Sequence, residues 1–364
     1  MIVAVAPTNW ICVNLPSNKR IAFVGAGAIG GFVGGHLARA GLDVTLIDQW
    51  AEHVDAMKRD GLHFSGTVGE YSVPVHALHI HEAQSLAANP VDIGIVCTKL
   101  YDTTWATSLI KQYLAPGGYV VTMQNCVVED IVAGIVGWGR TVGCIASTMS
   151  AEAYAPGRIR RTRQAGGSAY TIFRVGETHG RITPRLTELV AMLSLVDSAK
   201  ATDNLWGERW GKCVANTMTT GVSGITGFNL MTVLKDGRSR KLVIKLAAEA
   251  IHVGRAQGFP IEPVRRLEPD AWLRAADGDH AALAAVDKSI GVELERMTDA
   301  AYSGTTQDLR KGRRTDIDFM NGFVADKGDE VGVAAPTHRR ITDLVHRMER
   351  GELNPHPDHL TALL

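Results

Sequence analysis

Short apolar runs alternate with longer amphipathic stretches in the first half of the chain, from Lys19 to about Thr202. Apolar runs of a few residues indicate buried strands, whereas a period near 3.6 residues indicates helices. The predicted strands are residues 21–24, 44–47, 93–97, 119–123 and 141–147. Because these runs alternate with helical stretches, the pattern favours a mostly parallel, doubly wound α/β sheet with helices on both faces.

Two regions of this half depart from the simple succession of strands and helices. Residues 62–79 alternate polar and apolar positions, which predicts an antiparallel insertion. After Ser147, residues 158–162 and 170–176 show the same alternation and are predicted to extend the main sheet in the antiparallel direction. A helix is predicted near residues 183–195.

Beyond Asn204 the pattern changes to long stretches with helical periodicity. The predicted helices are residues 205–219, 239–257, 281–298 and 337–350. This division predicts a second, all-helical C-terminal domain. The expected organisation is an N-terminal arm at residues 1–19, an α/β domain at 20–202, a helical domain at 203–350 and a tail at 351–364, of which residues 354–359 are expected to be frayed.

The turn after the first strand carries the pattern of a phosphate-binding loop. Its sequence is Gly25-Ala26-Gly27-Ala28-Ile29-Gly30. We expect Gly25 to permit the tight turn, Gly27 to let the backbone approach a pyrophosphate, and Gly30 to let the next helix pack closely on the strand. The pyrophosphate would lie at the helix N-terminus, where unpaired N–H groups favour an anion. The strand, turn, helix and strand in this order predict a Rossmann-type dinucleotide site.

Asp48, at the end of the second predicted strand, favours NAD over NADP. A carboxylate there can accept hydrogen bonds from the ribose hydroxyls of the adenosine, and it would repel the 2′-phosphate of NADP. The nearest basic residues, Lys58 and Arg59, are expected on the following helix. The alternative is that Asp48 only caps that helix.

Composition narrows the class of partner. The chain has 38 acidic and 38 basic side chains, so no net charge draws it to nucleic acid or to an anionic membrane, and a small-molecule substrate is expected. The five cysteines are scattered without a C-x-x-C pair, which predicts a reducing cytoplasm and neither disulfides nor a metal site. Residues 1–15 lack the basic start of a signal peptide.

Several segments, taken in their order, resemble ketopantoate reductases over most of the chain. The principal ones are the turn at residues 25–31, Trp210-Gly211-Lys212-Cys213-Val214-Ala215-Asn216, and Gln307-Asp308-Leu309-Arg310-Lys311-Gly312-Arg313-Arg314-Thr315-Asp316-Ile317-Asp318. Supporting matches are Thr98-Lys99-Leu100-Tyr101-Asp102, Gln124-Asn125, Pro156-Gly157-Arg158, and Gly332-Val333 followed by Pro336.

The resemblance implies a role for each matching residue. It implies that Lys212 is the general acid, that Asn216 holds the lysine or the substrate, and that Asp316 binds the substrate hydroxyl and Lys212. Asn125 and Lys99 are implied to lie beside the nicotinamide half of the cofactor, with Asn125 also able to meet the substrate. A homodimer formed through the helical domain is also implied.

The residues themselves permit this chemistry. Lys212, Asn216 and Thr220 are spaced four residues apart, so they share one helical face. An ammonium group on that face can give a proton to a carbonyl oxygen while a nicotinamide delivers hydride, and a positioned acid gains about 10²- to 10⁴-fold in rate. The alternatives are a solvated surface lysine for Lys212, and a helix cap or surface ion pair for Asp316.

The chain departs from the family pattern at several substrate positions. Thr220 stands where the family has a second asparagine, and Gly304, with Ser303 beside it, stands where the family has a serine for the substrate carboxylate. Asp316 replaces the usual glutamate, and Cys126 replaces a glycine after Asn125. These changes predict a relative that kept the chemistry and altered its cofactor and substrate.

Three hypotheses about function follow. The first is a cytoplasmic NAD-dependent oxidoreductase that interconverts a secondary alcohol and a ketone, such as a 2-hydroxy/2-oxo acid or a bulkier analogue. The second is an NADPH-dependent 2-dehydropantoate 2-reductase of pantothenate biosynthesis. The third is a non-catalytic NAD-binding sensor, in which Lys212 would be dispensable.

Overall fold

The structure, a computed structural model, describes residues 18–167, 170–295, 297 and 301–364. The predicted N-terminal arm lies outside the described residues except for Asn18 and Lys19. Within the described residues the chain forms an α/β unit followed by a helical unit, as predicted.

Five of the strands were predicted from apolar runs, and they form the parallel centre of the main sheet. In the described residues the strands are β1 (Arg20–Val24), β2 (Asp43–Asp48), β3 (Leu62–Gly66), β4 (Tyr71–Val73), β5 (His76–His79), β6 (Val91–Val96), β7 (Leu114–Thr122), β8 (Thr141–Ala146), β9 (Ala151–Ala155), β10 (Arg158–Arg161), β11 (Phe173–Glu177) and β12 (Ala199–Thr202). The main sheet has the order β12-β11-β8-β7-β6-β1-β2-β5. Strand order reverses between β1 and β6, which creates a crevice at their carboxyl ends.

The remaining strands correct part of the prediction. Strand β11 extends the main sheet antiparallel to β8, as predicted. Of the antiparallel insertion predicted at residues 62–79, β3 and β4 do pair antiparallel, but β5 lies parallel to β2 at the edge of the main sheet, so that part of the prediction is wrong. Strand β10, however, does not join the main sheet, because it pairs with β3 and β9 in a separate four-stranded sheet. The alternating pattern predicted a strand correctly, but it carried no information about which sheet the strand joins.

The helix after the glycine-rich turn, α1 (Ala28–Arg39), lies between the two sheets. Gly34 faces the main sheet, since an added Cβ would lie 2.5 Å from Leu46. Gly31 and Gly35 face the second sheet, where an added Cβ would lie 2.6 Å from Ile159 and 2.5 Å from Phe64, respectively. The absence of side chains at these glycines lets both sheets approach the helix closely.

The other helices flank the main sheet or build the helical unit. Those of the α/β unit are α2 (Ala51–Asp60), α3 (Thr103–Lys111), α4 (Glu129–Val136) and α5 (Pro184–Leu193). Those of the helical unit are α6 (Leu205–Thr226), α7 (Leu230–Lys235), α8 (Gly237–Ala256), α9 (Pro269–Ala276), α10 (His280–Leu294), α11 (Gly304–Arg310), α12 (Asn321–Val331) and α13 (Pro336–Glu349).

Helix α6 is the central helix of this unit and extends beyond its predicted end at residue 219. The Asn204 side chain caps its start by accepting a hydrogen bond from the backbone of Gly207 at 3.0 Å. Gly227, with φ of +72°, ends it. The helix predicted at 281–298 is observed as α10, and residue 298 lies outside the described residues.

The C-terminal tail is ordered, so the prediction of a frayed tail is wrong. Leu360 and Leu363 are buried against the helical core, and the backbone N–H of His356 donates to the carbonyl of Ile225 at 2.9 Å. The Lys245 ammonium donates to the carbonyl of Leu363 at 3.1 Å. The two buried leucines provide apolar contacts that the polar composition around them concealed.

Two kinds of feature are absent from the described residues. No helix in that part of the chain has both the length and the apolarity needed to cross a membrane. The same residues contain no group of three or more His, Cys, Asp or Glu side chains placed to bind a metal ion.

Candidate active site

The glycine-rich turn has the geometry that a dinucleotide requires. Gly25 has φ of +96°, and an added Cβ would lie 2.7 Å from the backbone nitrogen of Thr98. At Gly30 an added Cβ would lie 1.9 Å from the Gly25 carbonyl oxygen, so this close packing needs glycine. At Gly27 an added Cβ would meet no atom within 4 Å in the described part of the chain, so these residues leave the backbone open to a ligand.

The N-terminus of α1 is open on the same side. The helix begins at Ala28 and Ile29, and no side chain caps its first turn. Its unpaired backbone N–H groups are therefore available to an anion. Together with the open space at Gly27, this fits the pyrophosphate of a dinucleotide.

Asp48 ends β2 beside this turn. One carboxylate oxygen accepts a hydrogen bond from the Ala26 backbone at 2.7 Å, and the other accepts from the Trp50 backbone at 2.9 Å. Asp48 therefore supports the glycine-rich turn as well as the entry to α2. Each carboxylate oxygen can accept a second hydrogen bond, so both contacts are compatible with binding of ribose hydroxyls.

His53, a residue that we did not select from the sequence, also supports the turn. It is fully buried, and its Nε2 lies 3.0 Å from the Ala26 carbonyl oxygen, while its Nδ1 accepts from the Gly157 backbone at 2.9 Å. Because Nδ1 is an acceptor, the proton belongs on Nε2, which donates to Ala26. The imidazole thus connects the turn to the loop before β10.

Lys99 and Asn125 follow the carboxyl ends of β6 and β7 at the crevice, as predicted for neighbouring parallel strands. The side chain of Asn125 is exposed and has no hydrogen-bond partner in the described part of the chain. Lys99 is engaged, because its ammonium donates to Asp308 at 2.5 Å and to Asp316 at 3.5 Å. Burial opposes its charged form, but the two carboxylates outweigh burial and raise the pKa of Lys99.

Asp316 differs from the prediction that it would contact Lys212. It accepts from the Leu100 backbone at 2.9 Å and from Lys99, and no contact with Lys212 is found among the described residues. The short aspartate side chain is occupied by the segment after β6. Burial, which exceeds the opposing effect of Lys99, raises the pKa of Asp316.

Lys212 reaches the crevice from α6. Its ammonium donates a hydrogen bond to the carbonyl oxygen of Ala146, at the carboxyl end of β8. Burial in the first place, and then the positive charge of Arg209, lower the pKa of Lys212 to about 7. Among the described residues, no carboxylate is one of the main causes of this shift. A lysine of this kind exchanges its proton easily near neutral pH.

The other residues on the predicted face of α6 differ in availability. Asn216 is partly exposed, and its side-chain amide has no partner within the described residues. The Thr220 hydroxyl donates to the backbone carbonyl of Asn216 at 2.9 Å, so its proton is used within the helix. Asn216 is therefore the freer of the two to bind a ligand.

Ser303 and Gly304 lie at the start of α11. The Ser303 hydroxyl caps that helix by accepting from Thr306 at 3.1 Å, and it donates to the carbonyl of Thr220 at 3.2 Å. Ser303 is only 3% exposed, and these hydrogen bonds account for the position of its hydroxyl without a ligand. At Gly304 an added Cβ would meet no atom of the described residues within 4 Å, where the family has a hydroxyl.

A buried ion pair, also missed from the sequence, connects α6 to the sheet. Arg209 and Glu129 have no exposed side-chain surface, and their closest atoms are 2.6 Å apart. Arg209 also donates to the carbonyls of Gln124 at 2.6 Å and Thr122 at 2.9 Å. Because Arg209 lies one turn before Lys212 and Gln124 lies next to Asn125, this pair fixes the spacing between α6 and the end of β7.

Cys126 is a buried thiol rather than an exposed nucleophile. A hydrogen bond with Cys213, together with burial, raises the pKa of Cys126, so the thiolate is disfavoured. Its φ of +56° explains why the resembling family has glycine at this position.

Comparisons with known proteins agree with this geometry. The family model described as Ketopantoate reductase PanE/ApbA matches residues 21–172, and the model described as Ketopantoate reductase PanE/ApbA C terminal matches residues 204–349. A 2-dehydropantoate 2-reductase of Mesorhizobium japonicum is 28% identical over 359 residues, covering 91% of this chain and 99% of the relative.

Two solved structures are similar over comparable lengths. A PanE/ApbA family ketopantoate reductase from Ralstonia eutropha JMP134 is 26% identical, with a TM-score of 0.74 and coverage of 92% of this chain and 99% of that one. The ternary structure of D-mandelate dehydrogenase with NADH and anilino(oxo)acetate is 23% identical, with a TM-score of 0.75 and coverage of 91% and 99%, and shares the fold. The chain therefore belongs to the ketopantoate reductase family and is an NAD(P)-dependent oxidoreductase.

Proposed function

We propose that this protein is an NAD-dependent oxidoreductase that interconverts a secondary alcohol and a ketone, with a 2-hydroxy/2-oxo acid or a bulkier relative as substrate. The observation that carries the proposal is the position of the Lys212 ammonium at the carboxyl end of β8, on the same sheet edge as the glycine-rich turn. The fold shared with a D-mandelate dehydrogenase that binds NADH supports the reaction class.

In this proposal Lys212 moves the proton. A nicotinamide bound at the glycine-rich turn would supply hydride to the substrate carbon or accept hydride from it. Lys212 donates a proton to the carbonyl oxygen during reduction and removes it from the hydroxyl during oxidation. Since its pKa is lowered to about 7, both protonation states are accessible at neutral pH. The side-chain amides of Asn125 and Asn216, which have no partner among the described residues, are available to orient the substrate.

Asp316 has a different role in the proposal from the one first predicted. Through Lys99 and the Leu100 backbone it connects the helical unit to the segment after β6. Lys99 in turn is held by Asp308, an acid within the family segment that we did not select as a site residue. These contacts join the two units beside the carboxyl end of β6.

NAD is the proposed cofactor because the charge around Asp48 is unfavourable for a 2′-phosphate. The nearest basic residues lie on α2, as predicted, but each is already paired. Lys58 contacts Glu82 at 2.5 Å, and Arg59 contacts Asp60 at 2.7 Å. Binding NADP would therefore place a phosphate next to the Asp48 carboxylate with no free cation from this pair.

A second candidate is an NADPH-dependent 2-dehydropantoate 2-reductase. The observation in its favour is the similarity, over 91% of this chain, to the 2-dehydropantoate 2-reductase of Mesorhizobium japonicum. Against it stand Asp48, Gly304 and Thr220, each of which departs from that family's pattern.

Initial rates of NADH and NADPH oxidation with 2-dehydropantoate and with a panel of other 2-oxo acids test the proposal. We expect faster turnover with NADH and with a 2-oxo acid other than 2-dehydropantoate. Efficient turnover of 2-dehydropantoate with NADPH would instead support the second candidate. Tight NADH binding without turnover of any 2-oxo or 2-hydroxy acid would indicate the non-catalytic sensor.

The proposal includes a homodimer formed through the helical unit, which the family resemblance implies, and a cytoplasmic location, which the cysteine pattern predicts. Sedimentation equilibrium of the purified full chain tests the dimer. A single species at the mass of one chain, across micromolar concentrations, would contradict it.

A further inference from the structure

The proposed substrate carries a carboxylate, and three residues at the predicted substrate positions are poorly available to bind it. Ser303 caps α11, Gly304 has no side chain, and the Thr220 hydroxyl proton is used within α6. A carboxylate that leaves water needs charged or hydrogen-bonding partners. The following inference rests on the proposed function and concerns the group that meets this need.

The loop between α8 and α9 follows a row of small residues along α6. An added Cβ on Gly207 would lie 2.0 Å from the Pro260 carbonyl, and one on Gly211 would lie 2.8 Å from the Glu262 carbonyl. The next residue in this row is Ala215. There the loop contributes Arg265, whose guanidinium donates to the Ala215 carbonyl at 3.3 Å.

Arg265 is held in an unfavourable backbone conformation. Val264 and Leu267 exchange backbone hydrogen bonds of 2.8 and 3.0 Å, so Arg265 and Arg266 are the central residues of a two-residue turn. Their φ values are +47° and +66°, a combination usually found with Asn-Gly. Backbone strain of this kind is retained where the surroundings impose it, and it is common at functional sites.

Side chains of two neighbouring helices impose this backbone conformation. The Trp272 indole donates to the Val264 carbonyl at 3.0 Å, and the Ser289 hydroxyl donates to the Arg265 carbonyl at 2.6 Å. These anchors from α9 and α10 fix the turn and direct the Arg265 side chain toward α6.

The guanidinium lies beside the face of α6 that carries Lys212. It contacts Ala215 and the Thr219 hydroxyl, at 3.3 Å each. Ala215 directly precedes Asn216, and both are partly exposed, as is Lys212. The row formed by Ala215 and Thr219 therefore runs next to the row formed by Lys212 and Asn216.

The charge of Arg265 is balanced by a replaceable partner. Its guanidinium forms an ion pair with Glu293 of α10, whose side chain is 28% exposed. The Arg265 Nε–H is buried with no hydrogen-bond partner in the described part of the chain. A carboxylate that replaced Glu293 would meet a planar donor suited to bidentate binding.

We propose that Arg265 binds the carboxylate of the 2-oxo or 2-hydroxy acid substrate, and that Glu293 occupies the guanidinium when no substrate is bound. Arg265 would thereby determine specificity for acids over neutral ketones. Glu293 can turn into water when the substrate carboxylate arrives, because it is only partly buried.

The test compares NADH-linked reduction of phenylglyoxylate, an acid, with reduction of its neutral methyl ester. Arg265→Gln should raise KM for the acid about 10- to 100-fold, the effect of losing a charged hydrogen bond, and should change KM for the ester little. Arg265→Lys should restore part of the difference, and Glu293→Gln should lower KM for the acid.

Arg266→Gln is the matched control, since Arg266 is exposed and occupies the same turn. It should leave the acid-to-ester ratio unchanged. Equal loss for acid and ester in Arg265→Gln would show that Arg265 is only structural and would overturn the inference. Reduction of the ester in preference to the acid by the unaltered protein would overturn it too, while leaving the oxidoreductase proposal intact. Failure of the unaltered protein to reduce either compound or any other 2-oxo acid would overturn both.

Discussion

Two lysines come to the same edge of the main sheet and have opposite surroundings. Lys99, after β6, is held between Asp308 and Asp316, and its pKa is raised. Lys212, from α6, reaches a backbone carbonyl at the end of β8, and its pKa is lowered to about 7. Their surroundings therefore give the two lysines different protonation behaviour. Lys99 keeps its proton and connects the two units, whereas Lys212 can release and regain a proton.

The difference arises from which groups face each ammonium. The helical unit presents two acids to Lys99, and a carboxylate favours the charged form. Lys212 is surrounded by thiols and by Arg209 and Arg174, so burial is not offset by an opposite charge. A lysine in a crevice is thus not sufficient evidence for a proton donor, because its partners decide its role.

The largest expected effect separates the two lysines by turnover. Lys212→Met should lower kcat about 10²- to 10⁴-fold, because no positioned acid remains. Fluorescence titration should show that NADH affinity is largely retained. Lys99→Met should lower kcat less, since Lys99 is not the proposed proton donor. Lys111→Met, on the exposed surface of α3, is the control. A Lys99→Met defect in kcat as large as that of Lys212→Met would remove the distinction.

The next effect concerns the buried cation beside Lys212. Glu129→Gln should lower the free energy of unfolding by about 3–5 kcal/mol, because Arg209 would remain as an uncompensated buried charge. Urea unfolding measures this loss. The exposed pair Arg240 and Asp287 supplies the control, and Asp287→Asn should cost no more than about 1 kcal/mol. Similar losses of unfolding free energy in the two variants would show that the buried pair stabilises the fold no more than an exposed pair does.

The pH dependence of the rate tests the lowered pKa of Lys212. Reduction needs protonated Lys212, so its rate should fall about tenfold per pH unit above about pH 7. Oxidation needs the neutral amine, so its rate should fall below the same pH. Rate profiles for both directions between about pH 5 and pH 10 measure this dependence. A reduction rate that stays constant up to pH 9 would contradict a lowered pKa.

The smallest expected effect belongs to the partners of Lys99. Asp308→Asn removes one carboxylate from a lysine side chain that is 40% exposed. Because water screens this pair, the loss of unfolding free energy should not exceed about 1 kcal/mol. Thermal unfolding of the variant and of Asp287→Asn should show similar shifts. A loss several times larger would mean that this contact holds the two units together.

Much of the fold follows from local patterns. The apolar runs predicted the five central parallel strands, and the helical periodicity predicted the helical unit. The strand at β10 was found but was assigned to the wrong sheet, because its pairing with β3 depends on residues far away in the chain. The tail was wrongly predicted to fray, because two leucines suffice to bury it.

Less of the site follows in this way. The family segments predicted Lys212, Asn216 and Asp316, but Asp316 contacts Lys99, 217 residues away, rather than Lys212. The buried pair of Arg209 and Glu129 has no local signal, since an arginine on a helix usually faces water. The arginine turn at Arg265 and Arg266 could have been suspected only from its place between two helices.

Local sequence alone predicted three features: the glycine-rich turn, the carboxylate that ends β2, and the row of Lys212 and Asn216 on one helix. Each of them depends on neighbours within a few residues or one helical turn. Only the tertiary structure decided which lysine meets carboxylates and which meets a backbone carbonyl. Electrostatic surroundings depend on distances of a few ångströms between residues that are far apart in the chain, and only folding sets those distances.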